Sequence, residues 1–308
     1  MKNLAVFLLL LLSLRGVMAE PLGRVNRFIE TLQQSKPVLG IWCYDHSMRN
    51  AAALADSPLN FIIIDMEHGP LDFPVLGQFL QGMLSRRESN VSLSPRVTPI
   101  VRLPQNGREQ LQFQIKQALD AGVYGLLLPH INTREEALAA VRAARYPQKI
   151  GVKDFDPPGL RGVAPDAPAR YWGLPVADYV TRADVWPLDP QGEIVLMLQI
   201  EEKQGVDNVD SILEVPGISA IFIGPGDLSF SLGFPGDTSA APVQAAIQKV
   251  LAACKKKGVP CAIDTSPEQV EQRIKEGYQI LTIGEDPAIS KGVADALARV
   301  GTASQQRK

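Results

Sequence analysis

Apolar runs of about four to eight residues recur along the chain, separated by stretches whose apolar positions follow a helical period. The runs predict strands at 37–43, 61–66, 99–104, 124–130, 194–201, 220–224, 259–264 and 280–284. Most are continuous rather than alternating, as expected for strands covered by helices on both faces. Helical spacing occupies 26–34, 50–55, 73–84, 108–121, 133–144, 206–213, 241–257, 267–276 and 287–300. Each predicted strand is followed by a helix, and eight such units predict an α/β fold, the (β/α)8 TIM barrel, with a doubly wound open sheet as the competitor. The connection from about 146 to 192 is out of proportion: it is rich in Pro, Gly and Asp and carries no predicted element. A long insertion of this kind is expected to be functional or a subunit contact, and its position after the fourth unit predicts that it folds over the catalytic mouth.

The N-terminus departs from this rhythm. Lys2 precedes an apolar block from Leu4 to Leu14, and Val17-Met18-Ala19 resembles a small-residue cleavage site. The pattern predicts a secretory signal peptide over 1–19, an exported protein, and a single mature domain over 20–308. The block is shorter than the roughly 20 apolar residues a bilayer span needs. An uncleaved anchor is the alternative; because no Cys lies near the cleavage point, a lipid-modified N-terminus is not expected. After cleavage no membrane association is expected.

Composition narrows the function. With 308 residues, 45% hydrophobic, 21% charged and a net charge of -2, the chain lacks the basic surface that nucleic acid selects. Cys43, Cys254 and Cys261 are an odd number without metal-ligand spacing. A Cys254–Cys261 bridge is conceivable, beside the reading of both as small buried apolar residues.

Chemistry is concentrated where predicted strands end, which is where a barrel places its active site. FIIIDMEHGP runs straight from an apolar strand into Asp65, Glu67 and His68. Arg102 ends PIVR, Glu201 ends IVLMLQIE, Asp227 follows IFIGPG, and Asp264 and Glu285 close the last two strands. No lysine ends these strands, which argues against Schiff-base chemistry. Glu201 and Asp227 lie on adjacent strand ends and suit a hard divalent cation, Mg²⁺ or Mn²⁺; the alternative is a structural ion pair at Glu201. Arg102 must be paired or face a ligand: it either meets a substrate oxygen or forms a salt bridge with Asp65 or Glu67. Among His46, His68 and His130, His68 stands out as a base tuned near neutral pH, because carboxylates precede it and Gly69-Pro70 fixes the turn after it. Asp120 reads as a cap or turn residue, and Gly224-Pro225-Gly226 as a turn whose N–H groups approach an anion or as a tight connection.

These motifs carry a resemblance. DMEHGP, PIVRLP, IKQALDAGVYGLLLPHINTREEA, ARYP, GLRG with ARYW, LQIE and IFIGPGDLSFSLG occur in the order and spacing of the HpcH/HpaI family of class II, metal-dependent pyruvate aldolases. The resemblance implies a barrel assembled as a homohexamer, with a divalent metal (Mg²⁺, Mn²⁺ or Co²⁺) on Glu201 and Asp227. It implies that Arg102 stabilises a pyruvate enolate, that His68 takes part in proton transfer, and that Asp65 and Asp120 support the histidine. Gly224, Pro225 and Gly226 match the loop that meets the substrate carboxylate. The implied substrate is a 4-hydroxy-2-oxo acid, cleaved to pyruvate and an aldehyde. The extra residues in KIGVKDFDPP and the leader depart from the family pattern. Competing readings are a CoA-thioester lyase or oxaloacetate decarboxylase on the same scaffold, and an exported organic-acid-binding protein.

Overall fold

The computed structural model describes residues 23–85, 92–104, 112–286 and 289–305. The leader expected over 1–19, the first residues of the helix expected at 108 and Pro287 fall outside them. Among the described residues there are nine parallel strands: β1 (Val38–Cys43), β2 (Phe61–Asp65), β3 (Thr98–Arg102), β4 (Gly125–Leu128), β5 (Val185–Trp186), β6 (Ile194–Ile200), β7 (Ala220–Ile223), β8 (Cys261–Asp264) and β9 (Ile280–Glu285). Eight of them close into a barrel in the order β1-β2-β3-β4-β6-β7-β8-β9, with β4 pairing β6 and β9 pairing β1. The two-residue β5 is a short addition to the start of β6. This is the (β/α)8 barrel.

Helices α1 (Arg27–Gln33), α2 (Met48–Ala55), α3 (Phe73–Gly82), α4 (Gln112–Ala121) and α5 (Arg134–Ala144) accompany the first half. The α5 terminus is written in sequence: Thr133 and Glu136 form a reciprocal capping box, satisfying N–H groups the helix leaves unpaired. In the second half lie α8 (Lys203–Asp207), α9 (Val209–Ile212), α10 (Pro225–Ser231), α11 (Ala241–Lys257), α12 (Val270–Glu276) and α13 (Lys291–Gln305). The helix expected over 206–213 is two short pieces meeting at Asn208, whose amide donates to the Asn132 carbonyl.

Strand side chains alternate between two cores. Leu39, Ile41, Ile62, Ile64, Leu126, Leu196 and Ile221 pack outward against the helices, whereas Val38, Phe61, Ile63, Ile100, Leu127, Val195, Met197, Phe222 and Ile280 fill the barrel interior. At the amino-terminal end α1 closes the barrel by adding Phe28, Ile29 and Leu32 to the interior cluster. Glu193, fully buried, secures this plug: its carboxylate accepts from the N–H groups of Val25 (3.2 Å) and Asn26 (3.1 Å). The interior is therefore packed from below, and polar groups take over only at the upper strand ends.

Residues 146–192 overturn the expectation of a structureless cover over the mouth. They contain α6 (Asp166–Trp172), α7 (Val176–Arg182) and β5, and they pack at the opposite end. The Trp172 indole donates to the Gly122 carbonyl just before β4, Arg161 reaches Asp120, and Val185 pairs with Ile194 at the start of β6. A segment that follows a helix returns to the amino-terminal ends of the strands, so it cannot roof the carboxyl ends. All three cysteines are buried and free, which removes the Cys254–Cys261 bridge.

Candidate active site

At the end of β2, inward-facing Asp65 stands in register with Arg102 at the end of β3. The guanidinium donates through Nε to Asp65 Oδ1 at 2.8 Å and through Nη2 to Oδ2 at 2.6 Å, while Nη1 lies 3.0 Å from Glu67 Oε2. Both sequence alternatives for Arg102 meet here: it is salt-bridged to Asp65 and Glu67, and it lies at the mouth. Its face lies 4.3 Å from the Trp42 ring centroid. Bidentate pairing and stacking hold the fork in one orientation. Two carboxylates against one cation leave this group net negative, and burial pushes the Glu67 carboxyl up, opposed by Arg102.

Two strands further round the rim, past β4, Glu201 follows β6 and is almost fully buried. Its Oε1 accepts from the His130 backbone N–H at 2.9 Å and its Oε2 from the Gln199 amide. Burial raises its carboxyl to about 7, with the charges of Asp227 and Glu67 adding to the rise and His130 opposing it. Asp227 sits in the first turn of α10, exposed to the opening. The turn before it is shaped around Glu201: a Cβ on Gly224 would lie 2.5 Å from Glu201 Oε2 and 2.9 Å from Gln199 Nε2. Pro225 takes the first helical position, where its missing N–H costs nothing, and Gly226 is exposed.

His130 is the residue sequence reasoning undervalued. The expected strand 124–130 stops at Leu128, and His130 takes the left-handed region at φ 55°. Its Nδ1 is 2.8 Å from Glu202 Oε1 and its Nε2 is 3.8 Å from Glu67 Oε1, so the ring bridges the two acidic sides of the mouth. Its position after an apolar strand run was the available signal. His68 lies at the rim with its side chain 63% exposed, its Nε2 3.8 Å from Glu67 Oε2. The structure does not bring Asp120 to His68. Asp120 ends α4 at the amino-terminal side of the barrel and accepts from the buried Arg161 at 2.8 Å, because the helix after β3 runs back down before β4 begins.

A separate acidic group, Asp154, Asp184 and Asp189, also lies away from the mouth. Arg145 occupies both oxygens of Asp184, at 2.6 and 2.7 Å. That pairing explains the cluster without a cation.

A parallel barrel whose upper strand ends hold a paired guanidinium, a buried carboxylate and a bridging histidine is built as an aldolase-type enzyme, with chemistry at one mouth and packing below. Comparison with known proteins agrees. The chain belongs to the HpcH/HpaI aldolase/citrate lyase family, whose model matches residues 39–289. The 5-keto-4-deoxy-D-glucarate aldolase of Citrobacter koseri is 31% identical over 274 residues, covering 89% of this chain and 95% of that protein. A solved HpcH/HpaI aldolase/citrate lyase family protein from Burkholderia cenocepacia superposes with a TM-score of 0.71 at 31% identity, covering 92% of this chain and 98% of that one. An HpcH/HpaI aldolase structure from Desulfitobacterium hafniense gives 0.68 at 25% identity, with coverage of 91% and 96%.

Proposed function

We propose that this chain cleaves a 4-hydroxy-2-oxo acid to pyruvate and an aldehyde, and that Glu201 and Asp227 hold the divalent cation the reaction uses. The observation that carries the reading is that one mouth holds Arg102, clamped by Asp65 and Glu67, and a buried Glu201 joined to Glu67 through the His130 ring, with Asp227 beside it. The cation fits the residues present. Among the described residues no lysine or arginine forms an ion pair with the buried Glu201, and Gln199 beside it has a buried Oε1 with no partner. Hard oxygen donors of this kind select Mg²⁺ or Mn²⁺ over softer metals. When bound, such an ion supplies Lewis acidity toward the oxygens of a 2-oxo acid.

The chain's own groups account for the remainder. Cleavage breaks the C3–C4 bond, the electron pair stays on C3 as the pyruvate enolate, and C3 then takes a proton to give pyruvate. The 4-hydroxyl loses its proton and becomes the aldehyde carbonyl. Arg102 uses Nε and one hydrogen on each terminal nitrogen for its carboxylates, leaving one hydrogen on each terminal nitrogen for the developing enolate oxygen. Glu67 lies 3.8 Å from both His130 and His68, so a proton removed at the 4-hydroxyl passes through this trio toward solvent. The Gly224-Pro225-Gly226 turn borders the same opening and is assigned the substrate carboxylate.

The test is pyruvate release from a panel of 4-hydroxy-2-oxo acids by the mature protein, chelated and then restored with Mg²⁺ or Mn²⁺, beside Glu201→Gln. Metal-restored release that is absent from the variant supports the reading; no release from any compound by folded, metal-loaded protein refutes it. Two further proposals rest on sequence. The leader directs export, tested by fractionating cells that express the full chain. The mature protein forms a homohexamer, tested by light scattering; exposed Phe113, Leu160 and Val163 supply apolar surface for contacts.

A further inference from the structure

In the closed strand order β1 lies four strands from β6 in either direction, so the residues after β1 face Glu201 across the mouth. A substrate whose 2-oxo acid end lies at Glu201 and Asp227 and that spans the mouth meets the sector made by β8, β9 and β1. This sector is built from Tyr44, Asp264 and Glu285. Tyr44 follows β1 and is 43% exposed, and the charges of Asp65, Arg102, Glu285 and Asp264 all act on its hydroxyl. Its backbone is held in place: Asp286 accepts from the N–H groups of Tyr44 and Asp45, both at 3.0 Å, and from the Asn50 amide. Asp264 faces inward at the end of β8, where its Oδ1 accepts from the Trp42 indole at 3.2 Å and from the Thr282 hydroxyl at 2.7 Å. Those bonds fix the carboxylate through one oxygen, and the residue is exposed at the end of its strand. The same Trp42 ring lies against Arg102, so Asp264 is tied to the reacting end of the site.

We infer that Tyr44 and Asp264 form the aldehyde-side wall and select a neutral, hydroxylated aldehyde over one bearing a carboxylate. The inference rests on the lyase reading above. A fixed carboxylate and a phenol accept and donate hydrogen bonds to hydroxyl groups, and a missing bond at such a site is heavily penalised. A second carboxylate brought beside Asp264 and Glu285 meets like charge, and the cation that acts on this wall, Arg102, is already matched by Asp65 and Glu67, a repulsive element of the kind that sets specificity.

The experiment uses the full mature protein with Mg²⁺ or Mn²⁺ in the addition direction, where the pyruvate methyl loses a proton, its carbon bonds to the aldehyde carbon, and the carbonyl oxygen takes a proton. The probes are glyceraldehyde and succinic semialdehyde. Exchange of pyruvate methyl protons in D₂O, followed by NMR, reports the pyruvate half without any aldehyde. The expected result is a kcat/KM for glyceraldehyde about tenfold or more above that for succinic semialdehyde, a preference reduced at least about fivefold in Asp264→Asn and in Tyr44→Phe. The ratio of two substrates on one preparation is unaffected by a misfolded fraction. Exchange with a preference for succinic semialdehyde, or a ratio unchanged in both variants, overturns this inference alone. Absence of metal-dependent exchange overturns the lyase reading and this inference with it.

Discussion

Arg102 is a charge inside an apolar strand, tolerated because Asp65 stands opposite it in register and Glu67 reaches its remaining terminal nitrogen. An unpaired guanidinium at this depth would cost several kcal/mol. Lysine keeps the charge but cannot span both Asp65 oxygens while donating onward. Arg102→Lys is therefore expected to lower kcat/KM by roughly a hundredfold, mostly in kcat, in a steady-state pyruvate assay. Glu201 makes the second prediction at this scale. Its carboxyl is raised by burial to about 7 in the metal-free fold, above its usual value of 4.5. The folded chain then holds a proton that the unfolded chain has released, so stability is lost as pH rises from about 4.5 to about 7. Chelated protein should show a Tm lower by a few degrees at pH 8 than at pH 5.5 on account of this group. Scanning calorimetry of Glu201→Gln, in which that slope is flattened, checks it.

Elements place these residues, and their legibility differs by kind. Buried strands such as Phe61–Asp65 and Ile194–Ile200 are visible because continuous apolar runs of that length suit little else. The end of β4 was misplaced at 130: pairing stops at Leu128, just before Pro129, whose missing N–H cannot extend the ladder, and His130 then turns through the left-handed region. The turn from β7 into α10 offers a direct test. Gly224 has φ −99°, open to any residue, so alanine is excluded by contact with Glu201 and Gln199 and not by backbone strain. Gly224→Ala should weaken Mn²⁺ binding by about 10–100-fold in a titration, with a smaller effect on folding. At the other end α1 acts as a plug, and Phe28 packs edge-on to Phe61 with ring centroids 5.2 Å apart. Phe28→Ala should cost about 3–5 kcal/mol in denaturant unfolding, while pyruvate-proton exchange per folded molecule persists.

At the scale of the whole molecule the barrel divides labour between its ends. The amino-terminal end carries α1, Glu193 and the 146–192 insertion, where buried Arg145 and Arg161 are matched by Asp184 and Asp120. The carboxyl end carries Arg102, Glu67, His130 and Glu201. Shortening the insertion should therefore lower Tm or change assembly without altering the preference among aldehydes, measured as a substrate ratio. The amino-acid sequence by itself determined the eight strand–helix units and the reactive groups at strand ends, because burial on both faces and an abrupt polar stop leave local, periodic marks. Tertiary structure alone decided that the insertion lies below the barrel and that Asp120 serves Arg161. Those outcomes depend on strand closure and on the direction in which each connection returns, which bring together residues whose spacing along the chain carries no record of their meeting.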